Sequence, residues 1–258
     1  MAPSTKIKYA TNSNEEKSFL KGPRDRWREF FYTMGVVRQF IRGFRALHFV
    51  GPCITFFGSA RISKTHEYYE QARLLAFGLS KDGFTIMTGG GRGIMEAANK
   101  GAQQAKGMSI GCNIVLPSEQ APNNYLDKFV LIDYFFVRKE LLRKYSCAFV
   151  VFPGGYGTLD EFFETLTLAQ TGKSENFPII LFGLDFHKDL ISHFERMKAL
   201  ETISKDDLKY VLFTDNIDEA RFHINQLTAN QLGKFSQGST KPLKILGEKK
   251  AFHSFPIL

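Results

Sequence analysis

Two glycine turns, one acidic pair and one basic cluster carry what chemistry this 258-residue chain could do. Ala148-Phe-Val-Val-Phe152 is a short apolar run, then Pro153, Gly154, Gly155 and Gly157 interrupt it. From Thr158 the apolar residues Leu159, Phe162, Phe163 and Leu166 recur at helical spacing. The pattern predicts strand, glycine turn and helix, with Thr158 near the helix N-terminus as a cap and Asp160 and Glu161 in the first turn. Unpaired N–H groups and the positive end of a helix dipole at such a turn suit a phosphate, and glycine lets the backbone approach it. Gly89-Gly-Gly-Arg-Gly93 is a second such turn, and residues 137–145 predict a basic helix with Arg138, Lys139, Arg143 and Lys144. A phosphate site, a cation and a carboxylate in one crevice suit cleavage of a nucleotide's N-glycosidic bond. A carboxylate stabilises the oxocarbenium-like state by charge, a cation or acid eases departure of the base, and water is the acceptor. Taken alone, Glu161 could equally be an ordinary helix N-terminal acid and Arg138 a solvated surface charge.

The elements around these residues alternate. Strands are predicted at 54–57, 84–88, 109–116, 129–133, 148–152 and 178–182, with a short one at 210–213. Helices are predicted at 66–82, 94–105, 137–145, from 158, near 187–200 and at 216–232. Alternation of this kind predicts a doubly wound parallel sheet with helices on both faces. Ligands of such sheets sit outside the carboxyl ends of the strands, where the turns 58–61, 89–93 and 153–158 should converge. Residues 1–50 read as an N-terminal extension, 51–232 as the α/β domain and 233–258 as a flexible tail. Within the extension, residues 1–22 are polar and aperiodic, and 24–48 read as an amphipathic helix bent at Gly35 or Gly43. Its apolar stripe is Trp27, Phe30, Phe31, Met34, Val37, Ile41, Phe44 and Leu47. The stripe is expected to face its own subunit or another copy rather than a membrane.

Composition narrows the function classes. The net charge is +8, but residues 1–50 hold ten Lys/Arg against four Asp/Glu and 233–258 five against one, which leaves the body slightly acidic. A nucleic-acid groove belongs on the body, so no nucleic-acid partner is expected. Cys53, Cys112 and Cys147 lack metal-ligand spacing and read as small core residues in a reducing cytoplasm. Met1-Ala-Pro-Ser-Thr-Lys6 has no apolar signal region, and no run approaches about 18 apolar residues, so no membrane partner is expected. The glycine turns fail the G-x-G-x-x-G dinucleotide pattern, and Gly172-Lys173-Ser174 lacks the first glycine of a P-loop and follows a helix. The six histidines form no metal cluster, and no G-x-S-x-G elbow occurs. Neither a metal nor a cofactor is expected.

Pro153-Gly-Gly-Tyr-Gly-Thr-Leu-Asp-Glu161 resembles the P-G-G-x-G-T-x-x-E signature of the LONELY GUY (LOG) family. Arg138-Lys139, fifteen residues before Pro153, resembles that family's Arg-Lys pair, and Gly89-Gly-Gly-Arg-Gly-Ile-Met95 is similar to its G-G-G-x-x-G-[LI]-M turn with the last glycine one place early. The resemblance spans about Ile54 to Phe182. It implies a Rossmann-like phosphoribohydrolase that releases the free base and ribose 5-phosphate from cytokinin riboside 5′-monophosphates or AMP. It also implies a homodimer or larger homo-oligomer in which the helices carrying Arg138 and Glu161 meet. Arg138 and Glu161 then match the catalytic pair. Gly89, Gly90, Gly91, Met95, Lys139, Gly154, Gly155, Tyr156, Gly157, Thr158, Asp160, Thr167 and Glu119 match substrate-contact positions. Asp160 stands where a second Glu is common. The family's older label, lysine decarboxylase, finds no support, because no lysine sits in a recognisable setting for pyridoxal phosphate. A non-hydrolytic nucleotide or molybdenum-cofactor carrier on the same fold is the alternative.

Overall fold

The computed structural model describes residues 25–114, 121–172 and 177–235. The polar N-terminal segment, Pro117, Glu119, Lys173, Ser174 and the tail beyond 235 lie outside these residues. The elements are α1 (Arg26–Leu47), β1 (Cys53–Phe57), α2 (Glu67–Lys81), β2 (Thr85–Thr88), α3 (Ile94–Gln104), β3 (Ser109–Ile114), β4 (Lys128–Ile132), α4 (Phe135–Tyr145), β5 (Ser146–Val151), α5 (Tyr156–Gln170), β6 (Ile179–Phe182), α6 (Leu184–Ala199), β7 (Val211–Thr214) and α7 (Ile217–Phe235). The strands form one seven-stranded sheet in the order β4-β3-β2-β1-β5-β6-β7. Every pairing is parallel. The order reverses between β1 and β5, so the crevice at their carboxyl ends is the natural ligand site of this topology.

Alternation along the central strands builds both layers. Ile54 and Phe56 of β1, with Ala148 and Val150 of β5, join Tyr69, Ala72, Leu75 and Leu79 of α2, Ala97 and Ala98 of α3, and Ala220 and Ile224 of α7. Cys53 and Phe57, with Phe149 and Val151, face the other way onto Leu47 of α1, Leu141 and Leu142 of α4, Phe162 of α5 and Phe194 of α6. Successive residues of a strand point to opposite faces, which is why short, wholly apolar runs suit a sheet covered on both sides.

Several elements differ from the sequence reading. Helix α4 starts two residues early, at Phe135, and passes into β5 at Ser146 with no loop between. Helix α5 starts at Tyr156, so its N-cap is Gly155 and not Thr158. Gly155 lies in extended backbone (φ −92°, ψ −159°), and its carbonyl accepts from the N–H groups of Thr158 (3.0 Å) and Leu159 (3.1 Å). Thr158 is therefore already helical, and Asp160 and Glu161 fall in the second turn rather than the first. Helix α7 runs three residues past the expected boundary at 232. Helix α1 is continuous through Gly35 and Gly43. Gly43 is there for a close approach: a Cβ on it would collide with the Leu141 side chain of α4.

Of the two neighbours expected for the apolar stripe of α1, its own subunit receives only Leu47. The buried residues of the helix are Gln39, Gly43 and Leu47. Trp27, Phe30, Phe31, Met34, Val37, Ile41 and Phe44 are all exposed. The body receives a second stripe, Gln39, Gly43 and Leu47 flanked by Val36, Phe40 and Ala46, and Gly43 lets α1 approach α4 closely. No helix among the described residues is long and apolar enough to cross a membrane.

Candidate active site

The three turns at the carboxyl ends of β1, β2 and β5 are tied by their backbones. The Ser59 N–H donates to the Pro153 carbonyl (3.0 Å), and the Ile94 N–H donates to the Ser59 carbonyl (3.1 Å). Gly93 has φ +64°, and a Cβ there would collide with the Ser59 carbonyl, so only glycine fits where the second turn crosses the first. The Gly90 N–H donates to Thr88 Oγ1 (2.8 Å). The Asn123 N–H donates to the Gly90 carbonyl (2.9 Å), and its side-chain amide donates to the Gly91 carbonyl (2.9 Å).

This second turn supports Arg138. A Cβ on Gly89 would collide with Arg138 Nη2 and would lie 2.8 Å from Met95 Sδ, so Gly89, Met95 and Arg138 occupy one spot. Arg138 Nε donates to the Cys112 carbonyl of β3 (3.0 Å), which fixes the guanidinium over the end of the sheet. Glu161 reaches the same place from α5. It is 6% exposed. Burial pushes its carboxyl up to about 7 against the opposing pull of Arg138 and Lys139. The buried Cys112 thiol senses both groups: burial raises it to about 12, Arg138 lowers it and Glu161 raises it. A carboxyl near neutrality beside a fixed guanidinium in a crevice has the properties of a reacting pair.

The phosphate-type turn is open. Added Cβ atoms at Gly155 and Gly157 would meet nothing within 4 Å. Tyr156 between them is 94% exposed. Residues at the first positions of a helix leave their N–H groups without intrahelical partners, so Tyr156 and Gly157 offer donors here. Thr158 is buried under the turn, where its Oγ1 occupies the space that a Cβ on Gly154 would need. A cavity of about 330 Å³ opens on the Gly154 side of the turn, lined by Ser59, Ile62, His66, Tyr68, Pro153, Gly154 and Phe186. It shares only the turn itself with the Arg138–Glu161 pair.

Lys139 crosses from α4 to α5 and pairs with Asp160 Oδ2 (3.0 Å) and Glu164 Oε2 (2.6 Å). Burial works to lower its ammonium group, but Glu164 and Asp160 outweigh it and hold the group above its ordinary value. Asp160 therefore braces the two helices that carry the pair. Thr167 lies six residues past Glu161, about 9 Å along the helix, and its hydroxyl donates to the Phe163 carbonyl (2.9 Å). The structure thus brings together Gly89, Met95, Arg138, Lys139, Asp160 and Glu161, sets Gly90 and Gly91 behind them, and leaves Thr167 apart.

Sequence reasoning missed the polar frame beneath the second turn. Asn99, fully buried on α3, accepts from the Thr88 hydroxyl (2.7 Å) and the Asn123 amide (2.9 Å), and donates to Ser109 Oγ (2.8 Å). Glu96, 7% exposed, pairs with Lys64 Nζ (2.5 Å) and accepts from the Tyr69 hydroxyl (3.4 Å). An Asn and a Glu on the inner face of the Ala-rich run Ile-Met-Glu-Ala-Ala-Asn were the available signal. Among the described residues no group of three or more His, Cys, Asp or Glu could hold a metal ion.

Comparison with known proteins follows the same residues. Residues 95–224 match the family described as "Possible lysine decarboxylase". The chain is 29% identical over 171 residues to a cytokinin riboside 5′-monophosphate phosphoribohydrolase of Mycobacterium tuberculosis, covering 61% of this chain and 86% of that one. It is 28% identical over 177 residues to the enzyme of that name, LOG, of Oryza sativa subsp. japonica, covering 67% and 71%. Among solved structures it superposes on the molybdenum cofactor carrier protein of Chlamydomonas reinhardtii with a TM-score of 0.50 and 23% identity, over 69% of this chain and 99% of that one, a likeness of fold. The match covers half of the chain and contains Arg138, the turn after Pro153 and Glu161, which makes this protein a member of the possible lysine decarboxylase family, the LOG family.

Proposed function

We propose that the protein hydrolyses the N-glycosidic bond of nucleoside 5′-monophosphates, AMP or N6-substituted cytokinin ribotides, to the free base and ribose 5-phosphate. The observation that carries the reading is Glu161, buried with its carboxyl at about 7 beside Arg138, next to an open glycine turn at a helix N-terminus. The 5′-phosphate would sit on the N–H groups of Tyr156 and Gly157. The sugar would then run along α5 towards Glu161. Ionised Glu161 would stabilise positive charge at C1′ as the C1′–N bond breaks and its electron pair leaves with the base. Arg138 would neutralise charge on the departing ring. The water oxygen bonds to C1′, and one of its protons ends on the base. The names carried by the relatives from M. tuberculosis and O. sativa support this reaction class.

On the same reading the enzyme works in the cytoplasm, where three buried free thiols stay reduced. It pairs with a second copy through the faces of α4 and α5. The test is incubation of purified protein with AMP, adenosine, ATP and isopentenyladenosine monophosphate, followed by chromatography for free base. Adenine from AMP but not from adenosine is expected, and the ratio to isopentenyladenine release ranks the two substrates. No free base from any of them, with AMP still bound, would overturn hydrolysis and favour a non-hydrolytic carrier of a nucleotide or of the molybdenum cofactor.

A further inference from the structure

Helix α1 has two working faces, and the body uses only one. The inner face is Gln39, Gly43 and Leu47, with Val36, Phe40 and Ala46 packed beside them. Gln39 Nε2 donates to Asp133 Oδ2, the rings of Tyr32 and Tyr134 meet edge to face at 5.4 Å, and the Tyr145 hydroxyl donates to the Phe44 carbonyl (3.2 Å). The outer face is Trp27, Phe30, Met34, Val37, Ile41 and Phe44 with Phe31 beside them, all between 41% and 67% exposed. Six large apolar side chains in one contiguous row, flanked by a seventh, Phe31, exceed what a monomer ordinarily leaves in water.

The spacing of that row identifies its partner. Steps of 3, 4, 3, 4 and 3 residues place Trp27, Met34 and Ile41 at a positions and Phe30, Val37 and Phe44 at d positions of a heptad. A strict a/d seam is narrow and fits another helix. The seam is also symmetric about the point between Met34 and Val37. An antiparallel copy sets Trp27 against Phe44, Phe30 against Ile41, and Met34 against Val37, so one sequence supplies both sides of a closed two-fold contact. Charge selects the same orientation. The N-terminal half balances Asp25 and Glu29 against Arg26 and Arg28, while the C-terminal half carries Arg38, Arg42 and Arg45 alone. A parallel pair would set those three arginines beside their own copies, and an antiparallel pair does not.

We infer that α1 is an oligomerisation helix that pairs antiparallel with α1 of a second copy through this seam. The contact is independent of any pairing through α4 and α5 and of the reaction at Glu161. The full-length chain and its Phe30→Glu/Ile41→Glu variant are compared by light scattering and by circular dichroism. A mass lower by roughly twofold or more in the variant, with helix content and AMP hydrolysis retained, is the expected result. A second variant, Phe30→Cys/Ile41→Cys, avoids dependence on a disruptive change. These positions lie about 16 Å apart on one helix, too far for a bond within it, but face each other across the seam. The native cysteines are buried. Mild oxidation should give a covalent dimer. Equal masses for wild type and the Glu variant, or no cross-link in the Cys variant, would overturn the assignment. So would a wild-type monomer that binds phosphatidylglycerol–phosphatidylcholine vesicles through α1.

Discussion

Replacing Glu161 by Gln should make the protein more stable and less active, with the stability gain absent below about pH 4.5 and complete above about pH 7. In the folded chain the Glu161 carboxyl titrates at about 7, raised by burial from an ordinary value of 4.5. Below pH 4.5 the group is protonated whether the chain is folded or not, and it costs nothing. Between 4.5 and 7 the unfolded chain ionises while the folded one resists, so stability falls as pH rises. Above 7 both forms are ionised and the full cost remains. A shift of this size corresponds to about 3 kcal/mol of folding free energy. Gln keeps the shape and carries no charge. Its melting temperature should match that of wild type near pH 4, pull ahead between pH 4.5 and 7, and stay ahead above 7 by on the order of 6–10 °C. Turnover of AMP should fall by on the order of 10²–10³-fold with AMP still bound, since charge stabilisation at C1′ is lost. Wild-type kcat/KM should show an acid limb near pH 7, where the free enzyme's carboxyl ionises. The assays are thermal unfolding across pH for both proteins and steady-state hydrolysis. A difference in melting temperature that does not vary with pH would refute the argument from burial. Near-normal turnover would refute the catalytic assignment.

Three further substitutions separate positioning, framework and ligand contact. Gly89→Ala drives a methyl group into Arg138 Nη2 and Met95 Sδ, and kcat should drop on the order of 10²-fold with melting temperature little changed; unaltered kcat would dissociate Arg138 from the reaction. Asn99→Ala strands the buried hydrogen-bonding groups of Thr88 and Ser109 and removes one partner of Asn123, and urea unfolding should show a loss of about 2–4 kcal/mol. Gly157→Ala adds a methyl group that meets no protein atom, in a helix that favours alanine over glycine by roughly 0.5–1 kcal/mol. Stability should hold or rise while the KM for AMP rises about tenfold or more, and an unchanged KM would place the phosphate elsewhere.

Much of this arrangement was readable before any fold was in hand. The strand–turn–helix units were legible because apolar runs, glycine clusters and helical periodicity are local signals. Arg138 and Glu161 were legible because their neighbours form a motif with fixed spacing. The start of α5 was not, because two residues beyond Pro153 a glycine can serve as a cap by backbone geometry alone, which leaves no side-chain mark. Which of two receivers takes the apolar stripe of α1, its own subunit or another copy, stayed open for a different reason. Periodicity reports that a helix has an apolar side, not which neighbour receives it, and here Gly43 fits under Leu141 more closely than any aromatic residue could. Asn99 left only the mark of a polar residue on an Ala-rich face, because its worth lies in three partners 10 to 24 residues away in sequence.

The missing loop between α4 and β5 turns part of the chain into a ruler. Tyr145 ends the helix and Ser146 begins the strand, so from Arg138 to Val151 every residue belongs to a regular element. The strand already takes up one irregularity at Cys147, where Ser146 pairs with Cys53 and Ala148 with Ile54, and beyond it the register runs unbroken to Val151. Placed in α4 after Arg138, an extra residue would rotate Arg138 by about 100° relative to the sheet and swing it off Gly89. Placed in β5, it would exchange Phe149 and Val150 between the two layers. The distance from the cation to the phosphate turn is therefore set by residue count rather than by any contact between them. Length variation in this protein should be found in the connections before β4 or after α5, and not in the fourteen residues between Arg138 and Pro153.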